Sequence, residues 1–306
     1  MPNAKFLEGV SGGLANQWVA NLLTPAFVFW AGGLVAILQH VGLETFFKFL
    51  NDLSEPQQIG LLIFALLIVS LSSFVMQRFD FTVLRWLEGY WPAWLRPLRR
   101  RLVARQLKQK QRAESRWNQL YGKREEQGLN AEETEDLALL EIRLRHIPEQ
   151  KNSLMPTRLG NILRAAEEEP FLRYGLDTIL CWPHLWLILP DQIRNDVAAA
   201  RDDLNTAVRI LLWGMLFAVW TIWAGWAIVV SLLVVGFAYG WVLNTALVYA
   251  DFITATFTLH RFALYRALNW PLPQSQAQEK ELAAQLNTYL ARGYSPSELQ
   301  YRLPET

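Results

Sequence analysis

From Ile210 to Ala250 the chain runs 41 residues without an acidic or basic side chain. The hydrocarbon core of a bilayer, about 30 Å thick, takes roughly 20 apolar residues per helical crossing. The run is therefore long enough for two crossings, with the reversal expected at Trp223-Ala224-Gly225-Trp226. Within hydrocarbon every backbone N–H and C=O must be satisfied internally, which leaves helices for stretches of this kind. Upstream, Ile193, Val197, Leu204 and Val208 recur at helical spacing among charged residues. The first crossing of this pair is thus expected to continue as a stalk from Asp191.

Two more apolar stretches lie near the N-terminus. Residues 9–43 carry no Asp, Glu, Lys or Arg. The crossing is placed at about 24–42, opened by Thr24-Pro25, with Gly32-Gly33 letting a neighbouring helix approach closely. Glu44–Glu55 reads as a short acidic loop, and Ser54-Glu55-Pro56-Gln57 as the cap of a second crossing over 56–77. The first run is too long for the h-region of a cleaved leader and is expected to stay in the mature chain. Fourteen Trp suit several membrane–water boundaries. The single Cys181 excludes an internal disulfide framework and a multi-cysteine metal site.

The basic residues orient this layout. Lys48 alone lies in the 44–55 loop, whereas Arg78, Arg85, Arg201, Arg209, Arg261 and Arg266 flank the other ends of the spans. The positive-inside rule then places both termini in the cytoplasm. The expectation is an all-α integral protein of the inner (cell) membrane with four transmembrane helices and a helical cytoplasmic domain. Its parts are an N-terminal hairpin over 1–77, a cytoplasmic insertion over 78–205, a second hairpin with helical extension over 206–270, and an amphipathic tail over 271–306.

The insertion opens with Trp86, Tyr90, Trp91 and Trp94. Arg96, Arg99, Arg100, Arg101, Arg105, Lys108, Lys110 and Arg112 follow, with no acid between them. Aromatic-plus-basic composition suits anionic lipid at the cytoplasmic face, at about 1 kcal/mol per basic residue near the surface. It also suits single-stranded nucleic acid, or serves only as an orientation signal. Because the block abuts a span, Trp86, Trp91, Trp94, Arg96, Arg99, Arg100, Arg101 and Arg105 are read as lipid-contacting, and nucleic acid is set aside. Beyond it, helical spacing runs to about Gln127 and breaks at Gly128-Leu129-Asn130. Asn130 with Glu133 then opens a second helix that Pro148 stops. Such a hairpin is one place for a soluble protein partner.

Three motifs follow: Met155-Pro156-Thr157-Arg158-Leu159-Gly160-Asn161, Arg173-Tyr174-Gly175-Leu176-Asp177, and Leu259-His260-Arg261-Phe262-Ala263-Leu264-Tyr265. With Trp182-Pro183-His184 and Trp270-Pro271-Leu272-Pro273 they resemble a family of bacterial multi-pass membrane proteins. The resemblance spans roughly Leu129 to Gly293. It implies a shared fold and brings no activity and no functional residues. Leu176–Pro190 is apolar but too short to cross a bilayer. The stretch after Pro273 reads as one amphipathic helix stopped by Gly293.

Signals for chemistry are sparse. The chain has no phosphate-cradling glycine loop, no His-Glu-x-x-His and no nucleophile elbow. His40, His146, His184 and His260 are far apart. Glu167-Glu168-Glu169 could hold a cation, but a solvated helix end before Pro170 is the commoner meaning of such a run and is the reading taken. No enzyme activity, cofactor or metal is expected. The constellation of interest is Asn244, Asp251 and Thr258, seven residues apart and therefore on one helix face. Two uses fit it: the lining of a pore in a homo-oligomer, or hydrogen-bonding glue between helices. The expectation is a non-enzymatic, channel-like homo-oligomer with a cytoplasmic gating domain. A membrane-anchored adaptor or sensor that recruits a soluble partner is the alternative. The layout of two spans, a cytoplasmic block and two more spans is similar to that of bestrophin-type channels, without a shared motif.

Overall fold

The computed structural model describes residues 25–293, and every regular element among them is helical. The α-helices are α1 (Pro25–Val41), α2 (Leu43–Asp52), α3 (Glu55–Arg78), α4 (Asp80–Glu88), α5 (Arg96–Glu126) and α6 (Ala131–Arg145). They continue with α7 (Arg158–Tyr174), α8 (Thr178–Ile188), α9 (Asp191–Phe217), α10 (Trp226–Ala267) and α11 (Gln276–Arg292). A 3-10 turn over Ala218–Ile222 extends α9. The chain divides into two compact units: the described part of Met1–Leu84 with Asn205–Val242, and Arg85–Leu204 with the described part of Leu243–Thr306. Both α9 and α10 contribute residues to each.

The first unit holds the apolar helices. Three helices are long and apolar enough to cross a membrane: Glu55–Arg78, Asp191–Ile222 and Trp226–Ala267. A fourth is reached only if α1 and α2 count as one span, and these two meet at a bend of 104°. The expected loop at Glu44–Glu55 is therefore corrected. Leu43–Asp52 is a helix with Phe46, Phe47, Phe49 and Leu50 among its charged residues, entered through Gly42 at φ 91°. A left-handed φ carries no Cβ penalty at glycine, so the chain can turn there without a loop. The reversal between α9 and α10 falls at Trp223–Gly225 as the sequence implied.

Aromatic packing closes this unit. Phe29 of α1 lies 5.0 Å from the Trp213 ring and 5.2 Å from the Trp220 ring, centroid to centroid. Ala26, Ala36, Phe217, Ala224 and Ala227 complete the same buried cluster. The small residues make room for these rings. A Cβ placed on Gly33 would sit 2.2 Å from the Trp220 indole, and one on Gly32 would sit 2.4 Å from the Phe217 ring. Polar side chains are paired across the unit: Trp30 Nε1 donates to Ser72 Oγ at 3.1 Å, and Ser231 Oγ donates to the Gly214 carbonyl at 2.7 Å. Arg209 Nε donates to both carboxylate oxygens of Asp80, each at 2.9 Å. By contrast, α3 buries none of its residues within the chain.

The second unit is a helical cluster. Helices α5 and α6 form the expected antiparallel hairpin. Its turn is closed by the reciprocal capping box at Asn130, where Glu133 N donates to Asn130 Oδ1 at 2.8 Å and Asn130 N to Glu133 Oε2 at 3.2 Å. Lys110 departs from its reading as part of a basic surface. It is buried, and its Nζ donates to the Pro148 and Glu149 carbonyls, each at 2.9 Å. Helix α7 also runs through Pro170 to Tyr174, so the Glu167–Glu169 run is mid-helix and not a solvated end. Helix α8, at 11 residues, stays short of a span. The expected turn at Ser295–Glu298 and the Thr24 cap lie outside the described residues.

The close approach at Gly33 gives a direct test. Gly33→Val should lower the thermal stability of the detergent-purified protein by about 1–3 kcal/mol, the usual cost of overpacking. Shortening the facing ring by Trp220→Leu in the same chain should recover part of it. Equal stability of Gly33→Val and wild type would refute the packing.

Candidate functional site

Helix α10 places Asn244, Asp251 and Thr258 on one exposed face, but their partners differ. Asp251 Oδ1 lies 3.2 Å from His146 Nε2 and 3.7 Å from Arg145 Nη2. His146 Nδ1 meets the Ile142 carbonyl at 2.8 Å, so both ring nitrogens face acceptors and the imidazolium alone makes both bonds. Thr258 Oγ1 donates to the Thr254 carbonyl at 2.8 Å and pairs with Tyr174 Oη at 3.1 Å. Two of the three residues are thus engaged within the chain. Asn244 makes no hydrogen bond among the described residues. Along the same face run Phe237, Trp241, Val248 and Ala255, all exposed.

The aromatic and basic block lies on α4, the start of α5 and the turn between them. Trp86 and Trp94 are exposed, and Trp91 Nε1 donates to the Trp86 carbonyl at 2.8 Å. Arg96, Arg99, Arg100, Arg101 and Arg105 are all exposed and form no ion pair among the described residues.

The three motifs are joints. Thr157 caps α7, accepting from Gly160 N at 2.9 Å, while its Oγ1 donates to the Glu88 carbonyl at 3.0 Å. A Cβ on Gly160 would lie 2.0 Å from that carbonyl oxygen, and Pro156 covers Gly89, whose φ is +104°. Asn161 Oδ1 accepts from Met155 N at 2.8 Å and holds the approach to the helix. In the second motif Gly175, in the left-handed region, ends α7, and Asp177 caps α8 through Ile179 N and Leu180 N. Asn287 of α11 brackets this joint, donating to the Gly175 carbonyl at 2.8 Å and accepting from Asp177 N at 3.0 Å. In the third, Arg261 Nε donates to buried Glu279 at 2.7 Å and its guanidinium lies 4.2 Å from the Tyr174 ring.

Docking of the first motif on the Glu88–Gly89 turn creates a cavity of about 260 Å³. Glu88, Glu167, Arg201, Tyr249 and Thr178 supply its polar groups, and Leu163, Ile179, Trp182 and Ile253 much of its apolar wall. Burial pushes the Glu88 carboxyl up to about 7, against the lowering effect of Arg85, with Glu167 adding to the rise and Arg201 opposing it. A carboxyl that titrates near neutrality inside a cavity marks a candidate site. Glu167 is engaged by Arg164 at 3.0 Å. Thr178 Oγ1 donates to the Glu167 carbonyl at 2.7 Å, so this hydroxyl is committed. Cys181, just outside, is buried and its thiol is pushed up to about 12 by burial, which suits packing and not nucleophilic attack.

The site can therefore hold or release a proton at Glu88 and offer one guanidinium beside it. Sequence reasoning missed Glu88, Glu167, Arg201 and Tyr249. The available signal was a single acid set among Trp86, Leu87, Gly89, Tyr90 and Trp91. Among the described residues no group of three His, Cys, Asp or Glu side chains is placed to hold a metal ion. Compared with protein-family models, curated proteins and solved structures, the chain matches none.

The raised carboxyl predicts an unusual pH profile. The folded chain holds the Glu88 proton more tightly than the unfolded chain, whose carboxyl titrates near 4.5. Stability from this group is full below about 4.5 and is lost as pH rises towards about 7. The loss is on the order of 3 kcal/mol at one pKa unit per 1.4 kcal/mol. Glu88→Gln should thus gain thermal stability relative to wild type between pH 5 and pH 8. A difference that is flat across this range would rule out the buried carboxyl.

Proposed function

We propose that this chain is a multi-pass protein of the cell membrane that assembles with copies of itself, channel-like, around the exposed face of α10. In this reading both termini are cytoplasmic, and Arg85–Leu204 with the C-terminal helices forms the cytoplasmic gating element. The observation that carries it is Asn244. Its amide stands exposed between Trp241 and Val248 on an apolar stretch of helix, with no hydrogen-bond partner among the described residues. An unpaired amide costs several kcal/mol in hydrocarbon, so it needs water or another protein surface. A symmetry-related Asn244 supplies both donor and acceptor, and a polar axial path supplies water.

The two cases separate experimentally. If Asn244 pairs with its copies, Asn244→Leu should shift the oligomer towards smaller species by light scattering, losing roughly 0.6–2 kcal/mol per bond. If it faces an aqueous path, assembly should survive and ion flux into proteoliposomes should change. A monomeric wild type without measurable flux would overturn the proposal.

A second reading, the membrane-anchored adaptor or sensor, is favoured by a different observation. Leu139 and Ile142 of α6 are exposed and border a cavity of about 370 Å³ that also includes Leu247. A soluble partner inserting an apolar side chain there would use the hairpin and leave the α10 face to lipid.

Under either reading, Trp86, Trp91 and Trp94 with Arg96, Arg99, Arg100, Arg101 and Arg105 meet anionic lipid at the cytoplasmic surface. Each exposed arginine near such a surface contributes about 1 kcal/mol. The full-length variant with Arg99, Arg100, Arg101 and Arg105 changed to Gln should retain fewer copies of phosphatidylglycerol in native mass spectrometry. Raising salt during purification should have the same effect on wild type, because exposed charges are screened beyond about 10 Å at 0.1 M. Retention that ignores both changes would reduce the block to an orientation signal.

A further inference from the structure

The cavity beside Glu88 is a built site with an asymmetric charge. Its two carboxylates are already provided for. Glu167 is held by Arg164 at 3.0 Å, and Glu88 is a carboxyl with only a distant ion pair to Arg85 at 3.8 Å. Arg201 has no such acid. It makes no ion pair among the described residues, and its guanidinium stands over the Tyr249 ring, 5.3 Å from the centroid. The groups facing Glu88 are Arg85 from its own helix, Glu167 from α7, itself held by Arg164, Arg201 from α9 and Tyr249 from α10. With Glu88 neutral, the charge left uncompensated in the cavity is that of Arg201.

We propose that this cavity binds a small amphipathic carboxylate, an organic acid with one compact apolar group. Its carboxylate is seated between the Arg201 guanidinium and the acid form of Glu88, and its apolar group lies against Trp182, Ile179 and Ile253. A guanidinium offers a planar pair of donors to a carboxylate, and a neutral carboxyl can donate a further hydrogen bond to the same group. Seven of the twelve lining residues are apolar or aromatic hydrocarbon (Leu163, Ala166, Ile179, Trp182, Pro183, Ala250 and Ile253), which selects an acid with an apolar body over a bare inorganic anion. Ionised Glu88 competes with the ligand for Arg201. Binding the anion is therefore linked to holding the Glu88 proton. This reading concerns one unit of the chain and stands whether or not the protein conducts.

Benzoate is a suitable probe, since it is small and partitions little into detergent. Equilibrium dialysis of radiolabelled benzoate against the full-length purified protein should show saturable binding of one molecule per chain. Affinity should fall towards tenfold per pH unit above about pH 7, where Glu88 ionises. Arg201→Gln should weaken binding at least tenfold, while Arg201→Lys, which keeps the charge, should retain part of it. Glu88→Gln should bind benzoate with an affinity independent of pH from 6 to 9. Benzylamine serves as the cationic counterpart of the same shape. Binding of benzylamine as tight as benzoate would overturn the proposal. So would absence of saturable benzoate binding to folded wild type, or equal binding by folded Arg201→Gln.

Discussion

Helix α3 crosses its full length of 24 residues without burying one of them inside the chain. Ile59, Leu62, Phe64, Leu67 and Leu71 are all about 60% exposed, and the helix is apolar on every side. A contiguous apolar surface of this length is not kept in water by a monomeric protein. Its length and composition are those of a membrane crossing, and in lipid the forces that hold helices together differ from those in water. Apolar contact no longer distinguishes protein from surroundings, so close packing and hydrogen bonds must do so. The first unit follows this rule: glycines at 32 and 33 admit the Phe217 and Trp220 rings, and Trp30, Ser72 and Ser231 make internal bonds. If the α10 face met lipid, the same constraint would make the exposed Asn244 informative, because an amide in hydrocarbon lacks partners for its hydrogen bonds.

What was legible in the sequence follows from the length of each signal. The 41-residue uncharged run and the Pro56–Gln77 stretch are long, so their helices emerge within a residue or two. The Asn130–Glu133 box is a local device whose geometry is complete within four residues, and it too was readable. The segment after Val41 was not. Glu44, Lys48 and Asp52 look like loop charges, yet Phe46, Phe47, Phe49 and Leu50 share the helix with them. Only the φ of Gly42, which permits the 104° bend, makes a helix begin directly there.

The cavity was illegible for a different reason. The burial of Glu88 depends on Thr157 and Gly160, about 70 positions away in the chain, and no local pattern announces this. Glycine at 160 is required because the Glu88 carbonyl occupies the place of its Cβ. The Glu167-Glu168-Glu169 run makes the same point within one helix. Successive residues turn by about 100°, so three identical side chains enter three surroundings. Glu167 meets Arg164 and the cavity, Glu168 is buried, and Glu169 pairs with Arg173 at 2.5 Å. A charge run read as a single feature hides this division.

Helix α10 carries both halves of the argument about function on adjacent residues. Ala250 and Ile253 wall the cavity, whereas Asp251 between them faces away and is held by His146 and Arg145 of the hairpin end. A ligand in the cavity and the hairpin on the other side therefore press on the same helical turn. Contiguity alone does not couple them, since a ligand shifts an equilibrium only by its difference in affinity between two arrangements. On the hairpin side the contacts depend on where the ring protons of one side chain sit. The His146 ring satisfies both the Ile142 carbonyl and Asp251 only as the imidazolium, and as the neutral ring it must release one of them. Coupling between the cavity and the hairpin would have to pass through this turn, which walls the one with Ala250 and Ile253 and holds the other at Asp251.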